Sequence, residues 1–389
     1  MLADLIRAHT ASFDKAVVAA VREAASRVPA LAARLPSDIS TVDDLARVPV
    51  LTKDELIAAQ REDPPWGGAV APGTTLRKVF CSPGPLYEPQ LPGPDPWRWG
   101  EALRALGIGS DDVVLNCFSY HLTPAGAMFE EGALAVGATV VPAGVGNADL
   151  QVTLAAAVGA TAFTGLPSYL KALVDKAAQL GLRWTVRRAL VTGEPLPDSL
   201  RDWLAPHVPT VLMAYGTAEA GLLGYETGPR SGLALPGGAL VQICDLDTGL
   251  PRYDDAPGQV VVTLLRREQP LVRFGTGDLS AWTTGPDGSL RLAGVLGRVG
   301  EAVKVRGMFL HPRQAATTLA QEASVTAYRF VIGRHQHRDT LRCEIVSRDP
   351  DAAARVSALV RSQLRLAADV VAVNALPDGP AIVDERDWS

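Results

Sequence analysis

The chain has 389 residues, 47% of them hydrophobic, with a net charge of −5. That length exceeds one ordinary core, so two or more domains are expected. The acidic balance excludes a broad basic surface of the kind that binds nucleic acid or an anionic membrane. Four dispersed cysteines, Cys81, Cys117, Cys244 and Cys343, form no C-x-x-C pair. They argue for a reducing compartment and against a disulfide framework or a thiolate zinc site. The N-terminal MLADLIRAHTASFDK carries charges throughout, unlike a signal peptide. No run of about 18 apolar residues occurs that would span a bilayer. The expectation is a soluble cytoplasmic protein with neither a nucleic-acid nor a membrane partner.

Residues 3–34 place Leu5, Val17, Val18, Val21, Ala25 and Leu31 at helical spacing, predicting one or two helices. Thr41 with Asp44 and Thr52 with Glu55 have the form of capping boxes. Residues 64–73, rich in Pro and Gly, read as loop. A β-α alternation then runs from about 97 to 225. Helices are predicted over 97–106, 125–136, 150–158, 168–180 and 199–204. Strands are predicted over 113–117, 139–142, 162–164, 189–192 and 210–214. Strands apolar on both faces, alternating with helices, indicate a mostly parallel sheet covered on both sides. Ligands in such sheets bind beyond the carboxyl ends of the strands. After Gly228 short strands over 240–245, 258–265 and 289–292 indicate a more antiparallel region. Gly294–Gly297 reads as a boundary, giving a large domain over 1–296 and a small α+β domain over 297–389. The small domain has the order β-α-β-β-α-β over 302–306, 312–323, 327–332, 340–346, 352–366 and 370–375.

Four strand-to-loop junctions combine glycine with a charged residue: VTGEP (Val191–Pro195), AYGTAEAG (Ala214–Gly221), VRFGTGDLS (Val272–Ser280) and LGRVGEAVKVRG (Leu296–Gly307). Each alone reads as a turn with a capping carboxylate. In this order and at these separations they resemble the phenylacetate–CoA ligase branch of the adenylate-forming superfamily, whose motifs run G-A-E-P, Y-G-L-T-E, R-[FY]-x-T-x-D-L and G-R-x-D-D-x-x-x-x-R-G. PVLTKDEL (Pro49–Leu56), GNADLQ (Gly146–Gln151), GLPSYL (Gly165–Leu170) and RGMFLHPRQ (Arg306–Gln314) extend the likeness over roughly residues 40–389, more loosely in the last 80.

The resemblance implies roles residue by residue. Gly193, Glu194 and Pro195 would put backbone against adenine, and Tyr215 would stack on it, with Gly216 and Thr217 beside the nucleotide. Glu219 would help hold Mg²⁺, a hard cation that takes oxygen ligands. Asp278 would accept from the ribose hydroxyls, and Arg298 would lie near ribose and phosphate. Glu301 would sit at the hinge of the small domain, although Gly300 replaces the first acid of the family's D-D pair. Arg306 and Gly307 would approach the pantetheine arm of CoA. The implied cofactors are ATP or AMP, Mg²⁺ and CoA. The implied partners are CoA and a small-molecule carboxylate, with a homodimer among the implied assemblies.

Three segments depart from the pattern. The family's phosphate loop, S-S-G-T-T-G-K-P, aligns with Ser82-Pro83-Gly84-Pro85-Leu86-Tyr87-Glu88-Pro89. Prolines offer no N–H to a phosphate, and Glu88 puts a negative charge where the family has lysine. Ala218 replaces the threonine of Y-G-L-T-E. The family's terminal L-P-R-x-x-G-K is replaced by LPDGPAIVDERDW (Leu376–Trp388), and no lysine follows Lys304. Arg386 is a cation left in that tail that could reach in, but nothing in the sequence requires it. All three departures touch phosphate or adenylation chemistry.

The segment Cys117–Ala133 falls where the family builds its acyl pocket. Tyr120, His121 and Gly144 are the candidates to line it, whereas Met128 and Phe129 read as packing residues. His335 and His337 read as a turn between strands, since two histidines make a poor zinc site. The leading expectation is an acid–CoA ligase acting on an aryl or short acyl carboxylate, with its adenylation step attenuated. The rivals are an acyltransferase or half-ligase using a preformed adenylate or thioester, and a noncatalytic adenosine- or CoA-binding regulatory protein.

Overall fold

A computed structural model describes residues 1–36, 38–82, 85–264, 266–299, 303–306, 308–310, 312–364 and 366–387. The chain forms two compact units: Met1–Leu196 with Arg201–Val299, and Gly300–Ser389 with Pro197–Leu200.

In the first unit the strands in chain order are β1 (Lys78–Ser82), β2 (Leu86–Gln90), β3 (Val113–Asn116), β4 (Thr139–Val141), β5 (Ala162–Gly165), β6 (Arg188–Val191), β7 (Thr210–Thr217), β8 (Gly221–Tyr225), β9 (Leu233–Ala234), β10 (Ala239–Cys244), β11 (Gly258–Leu264), β12 (Leu271–Ser280), β13 (Trp282–Thr284), β14 (Leu290–Leu292) and β15 (Gly297–Arg298). Nine of them make one sheet in the order β13-β14-β9-β8-β7-β6-β5-β3-β4. The β7-β6-β5-β3-β4 half is parallel, as its apolar strands predict. The half beyond β7 is antiparallel. A second, antiparallel sheet has the order β10-β11-β12-β15, and β1 and β2 make a separate hairpin. This is the mixed α/β architecture the alternation of elements implies.

The Thr52–Glu55 capping box forms with both reciprocal bonds and opens the helix Lys53–Glu62. The Thr41–Asp44 pair instead opens a 3-10 turn over Asp43–Arg47, with Asp44 accepting from the Ser40 and Thr41 amides. Leu51 donates to Arg273 O at 2.8 Å and accepts from Gly275 N at 2.9 Å. These two bonds seat the start of the Lys53 helix against β12. Gln60, on the same helix, donates to Tyr87 O at 2.9 Å and accepts from Tyr87 N at 2.8 Å. One helix thus holds both β12 and the β1–β2 hairpin.

Several strands escaped the sequence patterning. The stretch expected as a phosphate loop continues into β2, paired to β1 from Ser82↔Leu86 to Lys78↔Gln90. β8 and β13 were also unmarked, because glycine and threonine dilute their apolar alternation.

In the second unit Val303–Val305 pairs with Met308–Leu310, a strand the sequence did not announce. Helix Pro312–Leu319 follows, then the long hairpin Val325–His335 and Arg338–Ser347. Gln336 and His337 have φ of 48° and 62°, the two left-handed residues of a tight hairpin turn. The histidines at 335 and 337 therefore belong to a turn, as expected. Helix Ala352–Leu359 changes to a π turn over Val360–Leu364. Asp369–Ala372 and Ile382–Asp384 add parallel strands on either edge of the hairpin. The C-terminal tail is therefore a strand of this sheet. Phe330, Ile332, Leu341, Cys343 and Ile345 of the hairpin are buried with Val356 and Val360.

Candidate active site

The segments singled out in the sequence follow the carboxyl ends of the parallel strands: Cys117–Tyr120 after β3, Leu166–Tyr169 after β5, Thr192–Pro195 after β6, and Ala218–Glu219 after β7. Gly144 lies just past β4.

The β7–β8 turn depends on two glycines. A Cβ on Gly216 would lie 2.4 Å from Gly221 O and 2.8 Å from the Trp99 ring. Gly221 has φ +74°, and a Cβ there would meet Trp97 O at 2.5 Å. A register shift between Tyr215 and Gly216 marks a bulge, the irregularity that re-aims side chains at the end of a strand. Tyr215 is buried in consequence, and its hydroxyl donates to Asp278 Oδ2 at 3.0 Å, 3.1 Å from Thr276 Oγ1. Burial, then the Asp278 charge, holds the Tyr215 hydroxyl well above its ordinary range, so it stays a donor.

Asp278 on β12 faces Arg298 on β15 in the sheet register. Arg298 Nε bonds Asp278 Oδ1 at 3.0 Å. Both carboxylate oxygens of Asp278 are thereby engaged, one by Tyr215 and one by Arg298.

Gly193 takes φ +92° and is half-buried, and Pro195 is exposed. Glu194 turns inward, 7% exposed, and accepts from Ser168 N at 2.7 Å. That bond ties this loop to the start of helix Pro167–Gln179 by satisfying an N-terminal amide.

The second cluster was not foreseen. Lys53 Nζ lies 2.8 Å from Glu219 Oε1. Lysine at the first position of a helix opposes the helix dipole, and Glu219 supplies the compensating charge. Burial works against ionising Glu219, but Lys53 and a hydrogen bond from Thr217 outweigh it and hold the carboxyl below its usual range. Glu88, 5% exposed, lies beside the same pair and accepts from Ser82 Oγ at 3.2 Å. Burial and the Glu219 charge push Glu88 up to about 8, with Lys53 and Ser82 opposing. Its Oε2 atom is buried with no hydrogen-bond partner. Lys53 also feels Arg298, so the two clusters form one continuous charged set. Glu88 and Glu219 line a cavity of about 30 Å³, room for about one water molecule, with Leu86, Trp97 and Arg266. Arg266 donates to the main-chain oxygens of Glu219 and Pro96.

This arrangement bears on two groups the resemblance implies. Mg²⁺ would take Glu219 through a carboxylate oxygen, but that carboxylate already carries Lys53 Nζ and Thr217. A triphosphate needs donors, and the residue in the place of the family's lysine is the buried Glu88. The Mg²⁺–triphosphate pair therefore does not fit the residues present. Tyr215, Asp278 and Arg298, by contrast, stand together through direct bonds.

At the acyl end Tyr120 and Gly144 come together: a Cβ on Gly144 would meet the Tyr120 ring at 3.9 Å. Buried Asn116 orients the ring, its Nδ2 donating to Tyr120 Oη at 2.8 Å and to Gly126 O at 2.8 Å. Gln151 Nε2 holds Ala143 O and Gly144 O at 3.0 Å each, and Tyr169 Oη donates to Gln151 Oε1 at 2.6 Å. The GNADLQ and GLPSYL segments are thus joined through Gln151 and Tyr169. His121 is exposed, on a loop whose next residue, Leu122, has φ 57°. Met128 and Phe129 are core, Phe129 stacking on Phe118 at 4.3 Å.

In the second unit Arg306 has φ 49°, and its side chain bonds Asp339 O and Ala367 O at 3.0 Å each. It borders an open groove of about 600 Å³ with Thr340, Arg342 and Glu385. Pro83, Gly84, Gly300, Glu301, which the resemblance puts at the hinge, and Gly307 lie outside the described residues. Arg386 bonds Asp339 at 3.0 Å and Asp384 at 2.7 Å, the Arg386 and Asp339 side chains being buried and Asp384 exposed. It is an internal strut of this unit.

Known proteins resemble the chain along most of its length. The AMP-binding enzyme family model matches residues 98–263. Phenylacetate–coenzyme A ligase of Thermus thermophilus is 27% identical over 81% of this chain and 75% of its own. That of Aromatoleum evansii is 24% identical over 80% and 74%. Among solved structures, 2-hydroxyisobutyryl-CoA ligase in complex with 2-HIB-AMP and CoA superposes with a TM-score of 0.83 and 22% identity, covering 100% of this chain and 89% of that one. The amide bond synthetase McbA of Marinactinospora thermotolerans superposes at 0.56 with 19% identity, over 74% and 63%. No helix among the described residues is long and apolar enough to cross a membrane. The fold, the motif order and these matches agree: the chain resembles the phenylacetate–CoA ligases among the adenylate-forming, AMP-binding enzymes.

Proposed function

We propose that the chain is an acid–CoA ligase-type enzyme that handles an acyl adenylate and transfers its acyl group to the thiol of CoA, with ATP-driven adenylation attenuated. The curated relatives and the CoA ligase neighbours support the reaction class. The carrying observation is the contrast within one charged set. Tyr215, Asp278 and Arg298 stand together as a nucleoside platform, whereas Lys53, Glu219 and Glu88 pair among themselves where a triphosphate would need donors.

In this reading the loop Gly193–Pro195 lies against adenine, and Asp278 exchanges the Tyr215 and Arg298 contacts for ribose hydroxyls. Tyr120 and Gly144 border the acyl group, with Asn116 and Gln151 holding them in place. Residues 297–389 act as the mobile small domain, with Glu301 at its hinge and Arg306 and Gly307 toward CoA. The carboxylate is an aryl or short acyl acid, consistent with the aromatic side chain at 120.

The test compares two routes to thioester by chromatography and mass spectrometry. Purified protein receives either synthetic aryl and short acyl adenylates plus CoA, or the free acids plus ATP, Mg²⁺ and CoA. The reading expects thioester from adenylate at least about 100-fold faster than from acid and ATP, the loss typical of one missing transition-state charge. No thioester from any adenylate sinks it.

A further inference from the structure

Among the described residues, the cations on the phosphate side of this site already have internal partners. Lys53 sits on Glu219 at 2.8 Å and Arg298 on Asp278 at 3.0 Å. Glu219, 8% exposed, receives three kinds of donor: the Lys53 ammonium, the Thr217 hydroxyl and its own backbone amide. An octahedral Mg²⁺ demands about six oxygens near 2.0–2.1 Å and keeps several of its waters.

The charges also sum differently from those of a metal–phosphate site. Such a site sets cationic donors against a polyanion, with the metal as its largest positive charge. Here the fixed cation is an ammonium delivered by the Lys53 helix, its counter-ion is the buried Glu219 carboxylate, and Glu88 is a second buried acid beside them. Gln60 pins Tyr87 by two hydrogen bonds, so the strand carrying Glu88 is fixed to the helix carrying Lys53. Bringing a triphosphate in would require breaking the Lys53–Glu219 pair and displacing the buried Glu88 side chain.

We propose that Lys53, Glu219 and Glu88 are a built-in substitute for the metal and terminal phosphates of an ATP-using site, so that this chain binds a nucleoside monophosphate ester without any divalent cation. The inference rests on the adenylate reading above for its ligand, but its metal half stands without it. The ammonium neutralises Glu219 where a divalent ion would otherwise be needed. Glu88 closes the space that β- and γ-phosphates would enter. Only one phosphate then remains for Arg298 to meet.

The first measurement needs no nucleotide: Mn²⁺, as a Mg²⁺ surrogate, is titrated into the wild-type protein and followed by electron paramagnetic resonance. No saturable site is expected that involves Glu219. A saturable site in the wild type that is abolished by Glu219→Gln overturns the proposal. The second is calorimetry of AMP with excess Mg²⁺ and again with EDTA. AMP affinity is expected to agree within about twofold, with ATP at least about 100-fold weaker under both conditions. Mg²⁺-driven tightening of AMP or ATP by about tenfold or more overturns the proposal. Absence of AMP binding in both conditions, with no Mn²⁺ site, removes the adenylate reading while the metal-free cluster stands.

Discussion

Substituting Glu88 by glutamine removes the one buried carboxyl of the cluster that lacks an ammonium of its own. The consequence is a change in how stability depends on pH. In the folded protein burial and the Glu219 charge raise this group to about 8. In the unfolded chain it titrates near the ordinary glutamate value of about 4.3. Between those limits the folded state keeps a proton that the unfolded state has lost. Stability attributable to Glu88 is therefore full below about pH 4.3 and is lost as pH rises through about 8. Each pH unit in that window costs about 1.4 kcal/mol, giving a ceiling of about 5 kcal/mol that charge sharing with Glu219 reduces. An uncharged glutamine side chain carries no such penalty. The difference in stability between Glu88→Gln and wild type should grow in favour of the variant up to about pH 8 and then level off. Urea unfolding followed by tryptophan fluorescence reads this directly, because Trp66 and Trp97 line the same cavity. A stability difference that stays constant from about pH 5 to about pH 9 would refute the assignment of Glu88 as a buried, protonated group.

Other substitutions probe the same frame. Lys53→Met leaves the buried Glu219 carboxylate without its cation and should cost about 3–5 kcal/mol in unfolding free energy; adding Glu88→Gln should restore part of it, and strict additivity in the double-mutant cycle would contradict coupling. Arg386→Ala breaks the buried Asp339 pair and the exposed Asp384 pair. It should lower stability by about 3 kcal/mol, and nucleotide affinity in the first unit should be unaltered; a selective loss of AMP binding would contradict a purely structural role. Pro380→Lys, which returns a cation to the tail, should raise pyrophosphate exchange; no gain would argue that the adenylation step is absent rather than attenuated.

Much of this organisation is legible from residue patterns. Apolar strands such as Val113–Asn116 and Ala162–Gly165, set between amphipathic helices, announce the parallel half of the large sheet. The Thr52–Glu55 spacing announces a helix start because both halves of a capping box lie within one turn. The four glycine-bearing junctions could be found because their chemistry is local to short segments.

What escaped has long sequence separation. Nothing near Lys53 shows that its partner is the distant Glu219, and a lysine at a helix start reads as surface charge. Glu88 was legible as a misplaced charge, but its burial depends on the hairpin being pinned by Gln60. Arg386 was open to being read as a reaching cation. Only the parallel pairing of Ile382–Asp384 with the Val325–His335 strand shows it turned toward Asp339. The Asn116–Tyr120 and Gln151–Tyr169 bonds likewise connect segments whose likeness to the family was visible and whose mutual contact was not.

The central claim is that this scaffold retains an adenylate-handling site while the triphosphate end has been replaced by its own charges. Pyrophosphate exchange tests it most directly, measured on the wild-type protein with ATP, Mg²⁺ and a panel of aryl and short acyl acids. Set beside thioester formation from the matching synthetic adenylates, exchange is predicted to be at least about 100-fold slower for every acid. Exchange as fast as thioester formation with any one of them would contradict the account.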